Sequence, residues 1–251
     1  IKIIILTLNY KVLYIFKNMT KKIIWVTVFA IAMGFLETSI VVYLRELYYP
    51  EGFEFPLKGM KSYLIWTELA REAATIIMLA GIAWLAGTNV HTRFAWFIYT
   101  FAIWDIFYYV FLKVILNWPS SWFTWDVLFL IPCLWSGPVL APLILSLMMV
   151  LIWATILFFD RLVYLKINIL DYALMTLASV IHILNFCWDN MNYLINAPTD
   201  TDLHVLHLTY IPQYFNWWIF TFACTLTGWA IFNIWNRNIK LLKALKEGQL
   251  F

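Results

Sequence analysis

Residues 62–86, SYLIWTELAREAATIIMLAGIAWLA, are long and apolar enough to cross a bilayer, yet they contain Glu68, Arg71 and Glu72. A membrane-spanning helix needs about 20 mainly apolar residues. Ionisable groups inside such a helix are costly unless they are paired, neutralised or hydrated, so by default they mark functional sites. Together with Thr75, these residues follow the spacing i, i+3, i+4 and i+7, which places them on one helix face. The stretch therefore predicts a membrane helix with one polar face.

The composition extends this prediction to the whole chain. Of 251 residues, 64% are hydrophobic and only 12% are charged, whereas soluble domains carry about 25% charged residues. We predict an all-α polytopic membrane helix bundle with about six transmembrane helices, at residues 23–44, 62–86, 94–116, 137–159, 168–188 and 213–235. A short interfacial or re-entrant helix is predicted near 120–131, because this apolar stretch contains Trp122 and Trp125 and is too short to cross.

Basic residues predict the orientation of the bundle. With the N-terminus inside, 12 of the 17 lysines and arginines lie on the inner side and five on the outer side. The positive-inside rule then places both termini in the cytoplasm. Residues 1–18 precede Met19 and are expected to be an N-terminal extension, either upstream of the natural start or amphipathic, while 19–251 form a single transmembrane domain. The net charge of +3 gives no reason to expect a nucleic-acid partner.

Ionisable residues of several predicted helices fall in the same half of the membrane. At about 1.5 Å per residue, Glu37, Glu68, Glu72 and His182 lie roughly 9–15 Å below the outer boundary. Asp105 is the deepest group. Further candidates for the same centre share helix faces with these residues or lie at its mouth: Arg71, Tyr108, Asn185, Asp189 and Asp126. We therefore expect a polar cavity that opens to the outer side.

The charge of this constellation points to a ligand or to bound protons. Five carboxylates, Glu37, Glu68, Glu72, Asp105 and Asp189, give −5 and Arg71 gives +1, so the ionised set would hold −4. Such a charge needs raised carboxyl pKa values or a cation, which would be a metal, a relayed proton or a cationic substrate. A purely structural role is the alternative, with local pairing of Glu68 and Arg71 and buried acids hydrogen-bonded to aromatic residues.

Three other features carry separate hypotheses. His204 and His207 have a spacing that would present two imidazoles to a divalent metal if the loop were helical; a solvated acidic loop is the alternative. The segment from Asn117 to Pro142 would cap the cavity with Asp126 reaching in, or would merely connect two helices. Cys133 and Cys187 would form a disulfide if both face an oxidising compartment, or act as small apolar residues.

Several short motifs resemble a group of bacterial polytopic membrane proteins for which no activity is established. They are ELYYPEGF at 46–53, REAAT at 71–75, Trp104-Asp105 with Tyr108-Tyr109, and Gly137-Pro138 with Ala141-Pro142. The resemblance covers less than half of the chain and implies a bacterial, inner-membrane setting. It carries over no catalytic residue.

These observations leave three function classes open. The first is a membrane-embedded enzyme or binding protein that acts on a lipid-like or cationic ligand. In it, Glu37, Glu68, Glu72, Asp105 and His182 would be acid/base groups or metal ligands. The second is a proton- or cation-coupled transporter or channel, which would need ionisable groups in the inner half as well. The third is a structural or accessory subunit of a membrane complex. Apart from a divalent metal, no cofactor is indicated, and protein partners stay undefined.

Overall fold

Membrane-length helices dominate the computed structural model, which describes residues 2–131, 133–197, 206 and 208–247, without the side chains of 2–18 and 246. The helices are α1 (Lys2–Tyr48), α2 (Ser62–Ala86), α3 (Val90–Leu116), α4 (Leu140–Leu162), α5 (Ile169–Ile195) and α6 (Trp217–Lys246). Two strands, β1 (Trp125–Phe129) and β2 (Trp135–Pro138), lie between α3 and α4. Six helices in the described residues are long and apolar enough to cross a membrane, counting α1 from Met19. The predicted all-α multi-pass architecture is confirmed.

Successive helices run in alternating directions, so the connections define two sides of the bundle. One side holds the α1–α2 connection, both strands and the α5–α6 connection, and we call it the hairpin side. The other, which we call the terminal side, holds the start of the α1 span, the α2–α3 turn and the end of α6. Local chemistry sets these boundaries: α3 begins with a capping box in which the Asn89 side chain accepts from the Thr92 backbone N–H at 2.9 Å.

Helix α3 lies at the centre of the first four helices, packing against α1, α2 and α4, while α5 packs mainly against α6. Close approach of α1 and α3 depends on Gly34, where a Cβ would lie 2.9 Å from the Trp104 carbonyl oxygen. Thr38 seals the same crossing because its hydroxyl donates to the Tyr108 carbonyl at 3.2 Å. Toward the terminal side, α2, α3 and α4 enclose an apolar cluster that includes Ala83, Trp96 and Ile156.

The predicted short helix near 120–131 is wrong. Residues 125–129 form β1, which pairs antiparallel with β2 in the register Trp125–Pro138 to Phe129–Trp135, with an irregularity between Val127 and Phe129. Aromatic and β-branched residues favour an extended strand, and the partner strand supplies hydrogen bonds that a lone segment lacks. We call β1, β2 and the residues between them the re-entrant hairpin.

The re-entrant hairpin reaches deep between the helices. The Leu130 backbone N–H, just after β1, donates to the Glu72 carboxylate at 3.0 Å. Glu72 is ten residues into α2, which is about 15 Å along the helix axis from its hairpin-side end. A bilayer hydrocarbon core is about 30 Å thick. Non-helical backbone at that depth is tolerated where protein or a wet cavity covers it.

Candidate functional site

A cavity of about 560 Å³ lies on the hairpin side, lined mainly by α1–α4, the α1–α2 connection and the re-entrant hairpin, with Phe186 of α5 and Leu208 also contributing. Each helix presents one face to it with the i, i+3, i+4, i+7 spacing. On α2 the face includes Glu68, Arg71 and Glu72, and on α3 it includes Asp105 and Tyr108. Glu37 and Asp126 also line the cavity. Seven of the predicted site residues therefore line the same cavity: Glu37, Glu68, Arg71, Glu72, Asp105, Tyr108 and Asp126.

Arg71 joins α1 to α2 at the lining of this cavity. Its guanidinium forms ion pairs with Glu37 of α1 and with Glu68, three residues earlier on α2, at 2.7 Å to the latter. The Thr75 hydroxyl lies 3.5 Å from the second oxygen of Glu37. Two carboxylates and one guanidinium leave this group with a charge of −1 when all three are ionised. The predicted Glu68–Arg71 pair is thus part of a larger bridge between helices.

Glu72 and Asp105 differ from these acids because no lysine or arginine of the described residues pairs with either. Glu72 is 7% exposed and accepts the Leu130 N–H. Asp105 is half-buried and accepts the Ser146 hydroxyl of α4 at 2.7 Å. A hydrogen bond offsets part of the cost of burying a carboxylate, but it does not neutralise the charge. Glu72 and Asp105 are therefore the two acids of the cavity lining whose charge no described cation compensates.

Arg45 and Asp126 form a buried pair nearer the hairpin-side end. Arg45 Nη2 lies 3.2 Å from Asp126 Oδ1, and the residues are 7% and 2% exposed. The Tyr109 hydroxyl donates to the other Asp126 oxygen at 3.2 Å. The guanidinium also lies 3.8 Å from the centre of the Trp118 ring, a cation–π contact. Burial raises the pKa of Asp126 to about 6, against the lowering effects of Arg45 and of its hydrogen bonds.

The charge of the cavity follows from these groups. Its lining holds five carboxylates, Glu37, Glu68, Glu72, Asp105 and Asp126, and the three cations Arg45, Lys58 and Arg71. When all are ionised the sum is −5 plus +3, or −2, rather than the −4 expected from sequence. The Arg71 bridge holds −1, the Arg45–Asp126 pair is neutral, and the exposed Lys58 adds +1. The remaining −2 belongs to Glu72 and Asp105.

The predicted placement of the α5 residues at this cavity is wrong. His182 packs against Phe220 of α6, with ring centres 5.0 Å apart, and its Nε2 lies 3.9 Å from the Cys224 sulfur. Asn185 donates to the backbone carbonyl of Asn216 at 3.3 Å. His182, Asn185 and Asp189 do share a helix face, as the spacing predicts. That face packs on α6 and the segment before it.

Asp189 has a local partner set on the same side of the bundle. Its carboxylate accepts from the Tyr210 hydroxyl at 2.9 Å and from the backbone N–H groups of Gln213 and Tyr214 at 3.0 and 3.3 Å. Three donors on one carboxylate anchor residues 210–214 to α5. Asp189 thereby contributes to the α5–α6 connection rather than to the mouth of the cavity.

The described residues offer little support for the predicted metal site. His204 and His207 lie outside the described residues. Within residues 2–131, 133–197, 206 and 208–247, no group of three or more His, Cys, Asp or Glu side chains is arranged to hold a metal ion. The cavity acids instead have separate partners: Glu37 and Glu68 pair with Arg71, Asp105 accepts from a hydroxyl, and Glu72 accepts from a backbone N–H.

Two residues of the site, Arg45 and Ser146, are not among the site residues that the sequence predicts. The sequence places Arg45 among the basic residues of the outer side, although it lies eight residues after Glu37 and so on the same face of α1. Ser146 is fully buried on α4, in a stretch with little other polar character. Helical spacing from Glu37 could have found Arg45. Nothing in the sequence around Ser146 indicates its partner, because Asp105 is 41 residues away.

No known protein provides a template for interpreting this site. No protein-family model, no curated protein and no solved structure matches this chain. The likeness to bacterial polytopic membrane proteins therefore stays a prediction.

Proposed function

We propose that this protein binds an amphipathic ligand with a cationic group, and that the ligand enters the cavity from the hairpin side. The observation that carries this proposal is the pair Glu72 and Asp105, two carboxylates without an ion-pair partner among the described residues, on the wall of a cavity that is otherwise largely apolar. A cation in the cavity would compensate charge that the protein itself leaves unbalanced. Apolar neighbours would take the rest of the molecule.

The size and lining of the cavity support a small-molecule or lipid-like ligand. Its volume of about 560 Å³ falls within the range of roughly 300–1,000 Å³ that small-molecule sites occupy. Apolar residues from four elements surround the acids, including Val41, Phe101, Leu128 and Leu145. Such pockets combine apolar walls with a few placed polar groups that orient the ligand.

The position of exposed residues supports entry from the hairpin side. Lys58 of the α1–α2 connection and Ile65, near the start of α2, both line the cavity and are exposed. The excess of lysine and arginine on the terminal side supports an orientation in which the hairpin side faces outward, by the positive-inside rule. In a bacterial inner membrane this would be the periplasmic face, with both termini in the cytoplasm.

The opposite half of the bundle favours binding over a continuous transport path. Beyond Asp105 toward the terminal side, α2, α3 and α4 pack the apolar cluster around Trp96, Ile156 and Phe159, all nearly inaccessible to solvent. A proton or cation relay needs ionisable groups across the whole membrane. A binding pocket needs them only around the ligand, and here they line one cavity on the hairpin side.

A saturation binding measurement tests the proposal. Purified protein in lipid nanodiscs is incubated with tritiated dodecyltrimethylammonium, which joins a fixed cation to a single alkyl chain, and bound probe is counted. We expect saturable binding by the wild type and at least a tenfold weaker affinity for Glu72→Gln or Asp105→Asn, because each removes one uncompensated charge. A tenfold change corresponds to about 1.4 kcal/mol.

The controls separate the site from the membrane. Glu46→Gln changes an exposed carboxylate of α1 outside the cavity lining and should bind like the wild type. Sodium dodecanoate has the same chain length and the opposite charge, so it should not compete. Equal affinity of wild type, Glu72→Gln and Asp105→Asn would refute the proposal, and so would effective competition by dodecanoate.

A further inference from the structure

The tip of the re-entrant hairpin and helix α5 bring two cysteines together. Cys133 lies in the turn between β1 and β2, and Cys187 lies on α5, 54 positions later in the chain. Their sulfur atoms are 2.6 Å apart. Both thiols are free in this structure. Two sulfurs so near each other on segments distant in sequence form a pair that oxidation can join.

Packing on both sides of this pair holds the hairpin against α5. The Trp135 ring of β2 stacks on Phe186 of α5, with ring centres 6.0 Å apart and planes within 7°. Gly137 allows the contact, since a Cβ at this position would lie 3.0 Å from the Phe186 ring. Cys187 directly follows Phe186, and Cys133 lies two residues before Trp135. Their proximity therefore belongs to a packed interface and not to a mobile end.

The cavity gives a soluble oxidant a route to the pair. Cys133 lines the cavity and is half-buried, whereas Cys187 is 2% exposed. A thiol exchange reaction would begin at Cys133, where an oxidant can reach the sulfur. Cys187 would then attack the mixed disulfide from the protein side and resolve it.

We infer that Cys133 and Cys187 are an oxidation site whose disulfide tethers the tip of the re-entrant hairpin to α5. In the reaction each thiol gives up its proton, one S–S bond forms, and two electrons pass to the oxidant. In an oxidising compartment the oxidant is a disulfide, which is reduced to a dithiol. In a test tube it is the azo compound diamide, whose N=N bond takes up both electrons and both protons to become a hydrazine. This inference does not depend on the proposed ligand.

Thiol counting on the full-length protein tests the inference. Purified protein is treated with diamide, denatured in SDS and labelled with 5-kDa polyethylene-glycol maleimide, which adds one gel shift per free thiol. The chain has three cysteines. We expect one label on the oxidised wild type, at Cys224, and three after reduction with a phosphine.

Serine variants identify the partners. Cys224→Ser should take up no label when oxidised and two after reduction. Cys133→Ser and Cys187→Ser should each take up two labels in either state. Three labels on the diamide-treated wild type would overturn the inference. A single label on the wild type, with no label on oxidised Cys133→Ser or Cys187→Ser, would show pairing through Cys224 and overturn it as well.

The effect of the disulfide on thermal stability provides a second, independent measurement. A disulfide that closes a long loop typically stabilises by several kcal/mol, so reduction should lower the Tm of the wild type and of Cys224→Ser by about 5–10 °C. Reduction should leave the Tm of Cys133→Ser unchanged. An unchanged wild-type Tm after complete reduction would contradict the tether.

Discussion

The cavity wall and the α5–α6 interface contain similar polar residues, yet their side chains end in opposite situations. Glu72 and Asp105 face a cavity and lack a cationic partner in the described structure. Asp189 accepts three hydrogen bonds from its own chain, and His182 packs on Phe220. Both regions have the same sequence signature, an ionisable residue on one face of an apolar helix. The two regions therefore differ in the number of protein partners that each carboxylate has, a difference that the sequence signature does not reveal.

The largest effect is expected at the Arg45–Asp126 pair, which links α1 to the re-entrant hairpin. Replacing Arg45 with Met keeps much of the side-chain volume and leaves Asp126 buried without its cation. Removing one partner of a buried pair typically costs about 3–5 kcal/mol. We expect Arg45→Met to lower the free energy of unfolding by that amount at pH 8, measured by denaturant titration in detergent. Lys58→Met, at an exposed cation of the same cavity, should change it by less than about 0.5 kcal/mol.

The pH dependence of this pair follows from Asp126. Its pKa of about 6 in the folded protein is above the ordinary value of 3.8 for an aspartate, so the folded state binds the proton more tightly. The stability that this gives is fully present below pH 4 and is lost as the pH rises through 6. Arg45→Met should therefore cost less at pH 5, where Asp126 is protonated, than at pH 8. An equal cost at both pH values would contradict a protonated Asp126 at pH 5.

A neutralising substitution in each region tests the comparison directly. Asp189→Asn leaves one oxygen for three donors and removes the charge that strengthens these hydrogen bonds, so it should lower the free energy of unfolding by about 1.5–3 kcal/mol, the contribution of a hydrogen bond to a charged group. Glu72→Gln and Asp105→Asn keep an acceptor for Leu130 and Ser146 and remove an uncompensated charge, so stability should be unchanged or higher. Thermal unfolding in the same detergent compares the three. Lower stability of all three would favour structural roles for the cavity acids.

Two glycines allow a test of helix packing, one at a tight crossing and one at an open helix surface. Gly34 lies where α1 crosses α3, and Gly228 lies on α6, where a Cβ would have no described atom outside its own stretch of helix within 4 Å. Gly34→Ala should destabilise by about 1–2 kcal/mol because its Cβ would meet the Trp104 carbonyl. Gly228→Ala should be neutral or stabilising by up to about 1 kcal/mol, through helix propensity. Equal Tm values for the two variants would show that the α1–α3 crossing adjusts without cost.

Helical spacing and the length of apolar segments predicted most of the bundle. Both are local properties, so the spans and the polar face of α2 follow from residues 62–86 and similar stretches alone. Spacing predicts the faces of α2 and α3 that carry Glu72 and Asp105, and depth in the membrane predicts that Glu37 lies level with them; the structure brings all three to one cavity. The polar face of α5 was predicted equally well. Its neighbour was not, because spacing says which residues share a face and not which helix covers it.

Local sequence is enough to specify a multi-pass helical protein with charged groups in its apolar spans, since about 20 apolar residues have one stable arrangement in a bilayer. Long-range contacts are needed to explain why β1 pairs with β2, why Asp126 pairs with Arg45, and why Asp189 supports the α5–α6 connection. Strand pairing and buried ion pairs depend on partners far away in the chain, and no local pattern specifies those partners.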